Sequence, residues 1–265
     1  MLECVINVSE GRDRAVVAAL GSAAGRCLLD VHSDPDHHRS VLTLGGRLDE
    51  VEAAARAVAA EGVRLIDLRQ QAGAHPRLGA VDVVPFVPLG EVPMADAVAA
   101  RDRFVDWAAV ELAVPCFRYG PERALPDVRR YAFVTLPPDS GPAEPHPTAG
   151  AMCVGARPVL VAYNVWISDG VDDARRVAAA VRSPAVRALG LDVGGRAQVS
   201  FNLVDPLAVG PAAVYDAVAA QVTVEGTELV GLIPAAVLAA VEPTRWTRLD
   251  LDPSRTIEAR LAAAG

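Results

Sequence analysis

The apolar positions along the chain alternate between two periods. Leu2 to Val8 reads as a strand, and Asp13 to Ala24 as a helix with Val16, Val17 and Leu20 on its apolar face. Strands follow at Cys27 to Ser33 and Arg39 to Gly45. A long helix from Leu48 to about Ala60 carries Val51, Ala54, Ala55 and Val58 at helical spacing, and Val81 to Val87 is an apolar strand. The resulting β-α-β-β-α-β order is that of a split βαβ, or ferredoxin-like, unit. A helix over about Met94 to Leu112 and a short strand near Cys116 to Tyr119 extend it.

The second half repeats the order without repeating the sequence. A strand at Val159 to Ile167 precedes a helix with an acidic start, Val171 to Val181. Strands near Ala188 to Val193 and Ala197 to Val204 flank Gly194-Gly195, a hairpin dipeptide. A helix at about Ala212 to Val222 and a strand at Glu228 to Ile233 complete the set, and a last helix spans about Pro253 to Ala264. Between the halves, Pro137 to Gly150 (PPDSGPAEPHPTAG) is too rich in Pro and Gly for regular structure and reads as a connector. The expected fold is α+β: two ferredoxin-like (βαββαβ) subdomains, residues 1–158 and 159–265, with a ligand cleft between them.

In the second strand Leu29, Val31 and Ser33 alternate with Asp30, His32 and Asp34. Helices cover one face of such a sheet, so the ionisable set faces either a ligand or plain solvent.

Composition narrows the chemistry. A chain of 265 residues with 52% hydrophobic content can build a substantial core. No apolar run is long enough to cross a bilayer, and MLECVINVSEGRD lacks the basic start of a secretory signal, so a cytoplasmic protein is expected. Cys4, Cys27, Cys116 and Cys153 are scattered with no Cys-x-x-Cys pair, a pattern of buried thiols in a reducing compartment. A formal charge of −8 argues against general nucleic-acid or anionic-membrane binding. All 25 fixed cations are arginines, which removes Schiff-base lysine chemistry and a Walker lysine. Anionic ligands must be met by Arg, backbone N–H groups or helix ends.

Three segments carry candidate chemistry. In GAHPRLGAVDV (Gly73 to Val83), His75 lies in a Gly/Pro loop before a strand, where an imidazole can be oriented to move protons near neutral pH. Taken alone, such a histidine is better explained as an exposed loop residue. HSDPDHHR (His32 to Arg39) packs three of the five histidines and two aspartates into eight positions, which raises a metal-dependent hydrolase as an alternative. Adjacent His37 and His38 at a turn after Pro35 diverge, however, and no His-x-x-x-His pair lies on a helix. GAMCVGAR (Gly150 to Arg157) has glycines spaced as in a phosphate loop, but Ala156 and Arg157 stand where lysine and a hydroxyl are needed.

Several blocks together resemble the glutamate formimidoyltransferases, including the transferase half of formimidoyltransferase-cyclodeaminase. ECVINVSEGRD is similar to that family's Glu-Cys-Val-Pro-Asn-Phe-Ser-Glu-Gly, and LLDVHSDPDHHRSV to its Leu-Leu-Asp-Val segment ending in Asn-Arg-Thr-Val. HPRLGAVDVVPFVPL resembles its His-Pro-Arg-Met/Ile-Gly-Ala-Leu/Thr-Asp-Val stretch. GPAEPHPTAGAMCVGARPVLVAYNV, AQVSFNLVD and LVGLIP follow in the family's order.

The resemblance implies a homodimeric transferase with tetrahydrofolate as co-substrate and no metal. It would move a formimidoyl group between N-formimidoyl-L-glutamate and tetrahydrofolate in histidine degradation. The family's catalytic histidine falls on His75, and its acidic residue after Leu-Leu-Asp-Val is His32 here. Asp30, His32 and Arg39 would line the formimidoyl or amino-acid end, with Arg77 and Arg157 as candidate carboxylate contacts. The folate segment falls on Gly141, Pro142, Ala143, Glu144, Pro145, His146, Pro147, Thr148, Ala149 and Gly150. Where the family has Lys-Gly-Glu before His-Pro-Arg, this chain has Ala72-Gly73-Ala74. That departure keeps a second reading open, a folate-binding homologue with another amine substrate or without catalysis.

Overall fold

The computed structural model describes residues 1–73 and 76–264, which fall into two compact units, Met1–Pro158 and Val159–Gly265. In the first unit the elements run β1 (Leu2–Val8), α1 (Arg14–Ala24), β2 (Leu28–Asp34), β3 (Arg39–Gly46), α2 (Leu48–Leu65) and β4 (Val81–Pro88). They continue with α3 (Met94–Glu111), β5 (Cys116–Tyr119), α4 (Leu125–Tyr131) and β6 (Met152–Ala156). One sheet of order β2-β3-β1-β4-β6-β5 holds all six strands. Its first four strands are antiparallel in the ferredoxin-like order, and β6 and β5 add parallel to β4.

Periodicity explains the main core. Leu2, Cys4, Ile6 and Val8 of β1 and Leu42 and Leu44 of β3 meet Leu20 of α1 and Val51, Ala55 and Val58 of α2. Phe104 of α3 packs its ring 5.8 Å from that of Phe86 in β4. Each such large side chain, once enclosed, contributes about 1.5–3 kcal/mol. A smaller cluster holds Val83, Phe117, Tyr119, Cys153 and Val128 of α4, with Phe117 and Phe133 in edge contact at 5.0 Å.

Two features depart from the sequence expectation. Strand β6 lies inside the GAMCVGAR segment and is buried along its whole length. Its two faces are both covered, Met152, Val154 and Ala156 by the main core and Cys153 by the cluster around Val128, so it shows no alternation that would reveal it. Consequently Pro137–Gly150 does not join the two halves. It is an irregular stretch within the first unit, ahead of that unit's last strand. Helix α4 was also not expected, being only seven residues long with one buried side chain, Val128.

The second unit runs β7 (Val161–Ile167), α5 (Val171–Val181), β8 (Val186–Val193), β9 (Arg196–Leu203), α6 (Pro211–Ala219) and β10 (Val224–Val230). Its antiparallel sheet has order β10-β7-β9-β8, again ferredoxin-like. Gly194 and Gly195 both take positive φ (60° and 83°) and close the β8–β9 hairpin as expected. Strand β10 lies earlier than the expected Glu228–Ile233, because Gly231, at φ 78°, ends the ladder before the apolar Leu232-Ile233 pair. Short helices α7 (Ala235–Ala239) and α8 (Ile257–Ala264) finish the chain. No helix among the described residues is long and apolar enough to cross a membrane.

Helix α2 continues past Ala60 to Leu65 and crosses β4 closely at Gly62, where an added Cβ would lie 2.5 Å from Val81 Cγ2. Alanine normally gains about 1 kcal/mol over glycine inside a helix. Here Gly62→Ala is expected instead to destabilise the protein by about 1–3 kcal/mol in urea unfolding, through overpacking. In a Val81→Ala background the same substitution should become neutral or favourable. A stabilising Gly62→Ala in the wild-type background would contradict this packing.

Candidate functional site

Chain direction brings several segments to one end of the first unit's sheet. There β1 and β2 finish, while β3, β4, β5 and β6 begin. The centre of this end is Asp82, whose side chain is fully buried. Its Oδ2 accepts from Arg39 Nη2 at 2.6 Å and Arg129 Nη2 at 2.5 Å, and its Oδ1 accepts from the Leu78 N–H at 2.7 Å. Burial alone would raise this carboxyl. The Arg39 and Arg129 guanidiniums and the Leu78 N–H outweigh it and hold Asp82 well below the usual carboxylate range. Arg39 also donates from Nε to Asn7 Oδ1 at 3.1 Å. Asp82, near the start of β4, therefore fixes the residues from Leu78 that lead into that strand against β3 and α4.

The turn between β2 and β3 is the second component. Asp34 accepts from the backbone N–H groups of Asp36 and His37 and meets the His37 ring at 2.8 Å. Burial opposes its charge, but the His37 ring and backbone donors prevail and lower Asp34 from 3.8 to about 2. His38, at φ 51°, turns its ring inward, with Nε2 3.0 Å from Glu10 Oε1 and Nδ1 3.1 Å from the Ala72 carbonyl. Glu10 Oε1 also accepts from the N–H groups of Arg12 and Asp13, and these bonds, with the His38 ring, overcome burial and lower the Glu10 carboxyl. Arg77 Nη2 donates to the His37 carbonyl at 3.0 Å.

The third component is the tail of the Pro/Gly stretch. Gly141 to Pro145 are exposed, whereas Ala149 and Gly150 are buried. Backbone bonds sew this tail to its neighbours, from Leu68 N to the Thr148 carbonyl, Ala80 N to the Ala149 carbonyl and Ala151 N to the Leu78 carbonyl. His146 Nδ1 accepts from the N–H groups of Ala149 (3.0 Å) and Thr148 (3.3 Å), so the proton of the neutral ring sits on Nε2. The structure thus brings residues 146–150 beside residues 78–80, two segments far apart in sequence.

The remaining expected residues are placed as follows. His75, with Ala74, lies outside the described residues. Asp30 and His32 are partly buried on the edge strand β2, opposite Thr43 and Val41 of β3, on the face shared with Arg39 and away from the Leu42–Leu44 core face. Arg39 is at the centre, but its guanidinium is committed to Asp82 and Asn7. Arg157 is not brought to this end. It follows β6 at the far end, where its N–H donates to the Phe86 carbonyl.

The His32–His38 segment does not converge as a ligand set, since His37 turns to Asp34 and His38 to Glu10, and no group of three or more metal-ligating side chains forms among the described residues. Burial pushes the Cys116 and Cys153 thiols up to about 12 and raises Cys4 and Cys27 as well, which leaves no thiolate nucleophile near neutral pH.

Asp82, Glu10 and Arg129 were not among the expected site residues. The signal available for Asp82 was a lone charge inside the apolar run Ala80–Val87.

Comparison with known proteins bears on this arrangement. Residues 1–157 match the family model for the N-terminal subdomain of the formiminotransferase domain. The chain belongs to the glutamate formimidoyltransferase family. It is 34% identical to the glutamate formimidoyltransferase of Streptococcus pyogenes serotype M1, over 90% of both chains. The Thermoplasma acidophilum glutamate formimidoyltransferase is 29% identical over the whole of this chain and 98% of its own. Formimidoyltransferase-cyclodeaminase of Sus scrofa is 34% identical over 88% of this chain, which spans about half the length of that relative.

Two outcomes follow from the electrostatics. Asp82→Asn leaves Arg39 and Arg129 without their buried counter-charge, and urea unfolding should show a loss of about 3–5 kcal/mol; a loss under 1 kcal/mol would contradict the assignment. Because Asp34, Glu10 and Asp82 all bind protons more readily unfolded than folded, their contribution is complete above about pH 5 and disappears as pH falls through the lowered values. Urea midpoints measured from pH 7 to pH 2 should decline below about pH 5, and Asp34→Asn should flatten part of that decline.

Proposed function

We propose that this chain transfers a formimidoyl group between N-formimidoyl-L-glutamate and tetrahydrofolate, a step of histidine degradation, with His75 as general acid and base. What supports the reading is the meeting of residues 146–150, part of the stretch that the resemblance aligns with folate contacts, with residues 78–80, which follow the His75 position in sequence and lead into β4. The named relatives support the same chemistry.

The reaction needs proton movement and placement rather than a resident cofactor. Attack of the folate nitrogen on the amidine carbon gives a tetrahedral intermediate. The attacking nitrogen must then lose a proton and the departing glutamate nitrogen must gain one. A single imidazole can perform both transfers in turn. Holding both substrates at one sheet end supplies the rest of the acceleration. In this reading, the exposed Gly141–Pro145 stretch and the Nε2–H of His146 meet the pterin. Asp30, His32 and Arg77 address the formimidoyl glutamate. Arg39 serves through Asp82, and Arg157 is reserved for a carboxylate reaching the far end of the sheet. The reading also includes a homodimer, which light scattering at twice the chain mass would verify.

Isothermal titration should show tetrahydrofolate binding below millimolar concentration. His75→Ala should retain that binding and lose turnover with N-formimidoyl-L-glutamate. Absence of binding removes the whole reading, and unchanged turnover removes the role of His75. Turnover with a different formimidoyl donor alone would favour the second reading raised by Ala72 and Ala74.

A further inference from the structure

The hydrogen-bond partners of His38 determine how many protons its ring carries. Nδ1 lies 3.1 Å from the Ala72 carbonyl, which can only accept. Nε2 lies 3.0 Å from Glu10 Oε1, an atom that already accepts the Arg12 N–H at 2.7 Å and the Asp13 N–H at 2.9 Å and so behaves as a carboxylate oxygen. The other oxygen, Oε2, accepts from Gln71 Nε2 at 3.1 Å. Two acceptor-only partners require two ring N–H donors, which is an imidazolium. Both side chains are almost wholly enclosed, at 7% exposure each.

The same pair grips the chain just ahead of His75. Gln71 is tied to Glu10 and Ala72 to His38, while Gly73 runs so close to the His37 carbonyl that a Cβ would strike it. On the other side of the His75 position, Arg77 is tied to the His37 carbonyl. The charged groups around the ring are Glu10 from the loop after β1, Arg77 from the loop before β4, and Arg39 at the head of β3 with Asp82 behind it. In its own turn Asp34 pairs with His37.

We propose that His38 is a positioning residue for the loop bearing His75, acting as a buried imidazolium whose two N–H groups clamp Glu10 to the Ala72 carbonyl. Removing the ring, or its second proton, releases residues 71–73. The consequence for catalysis rests on the function proposed above; the clamp itself does not.

The test uses the full chain with histidine ring nitrogens labelled with ¹⁵N, and His38→Asn and Glu10→Gln as variants. Asparagine tolerates the left-handed backbone at position 38, and Glu10→Gln serves if His38→Asn fails to fold. At pH 7 the resonance lost in His38→Asn should show two protonated ring nitrogens in the wild type, and Glu10→Gln should reduce it to one. Amide exchange at Gln71–Gly73 should quicken about tenfold or more in both variants, the signature of local opening.

In transfer assays His38→Asn should lower kcat about tenfold and leave KM for tetrahydrofolate within about twofold. A neutral His38 ring in the wild type, unaltered exchange, or an unaltered kcat would each overturn the proposal. A wild type that binds no folate and transfers nothing would refute the function instead, and the ring-nitrogen and exchange results would still decide the clamp.

Discussion

A carboxylate taken fully out of water is unfavourable by several kcal/mol unless its surroundings replace the lost solvation. Asp82 sits in that position, and much of one end of the first unit's sheet is arranged around it. Two guanidiniums from β3 and α4 and the Leu78 N–H converge on its two oxygens. Those partners come from three places in the sequence, so satisfying one buried charge fixes a strand, a short helix and a loop relative to one another. The irregular stretch ending at Gly150 then attaches to the same loop through backbone bonds at Leu78 and Ala80.

The surrounding polar groups divide by what they face. His146 accepts backbone N–H groups on Nδ1, which leaves Nε2 as the donor of its neutral ring. His38 offers both nitrogens inward, which suits scaffolding. Arg39 has the charge expected of a substrate contact but is engaged by Asp82 and Asn7, so its influence on a ligand passes through the loop it holds. Family membership places these arrangements in a group whose named members transfer formimidoyl groups.

Much of the fold was legible because one-sided burial writes itself as periodicity. Strand β1 alternates core and non-core residues and α2 shows Val51, Ala54, Ala55 and Val58, so both stood out. Strand β6 did not, since a five-residue strand packed on both faces has no polar side to alternate with. Missing it made Pro137–Gly150 look like a connector between halves, although the first unit runs on to Pro158. In the site, the histidines and arginines could be named from the chain, but not their partners. Whether His38 meets a metal, a ligand or Glu10 depends on a left-handed turn at one residue and on a carboxylate 28 positions away. Asp82 was hidden differently, its charge lying inside an apolar strand whose hydrophobicity drew attention away from it.

The central claim is that one sheet end, organised by Asp82, is where folate chemistry takes place. A crystal structure of the protein with a reduced folate bound tests it most directly. The proposed function requires the pterin to contact residues 141–150 with its reactive nitrogen within reach of His75. A pterin seated elsewhere, with that loop and the 141–150 stretch untouched, would contradict it.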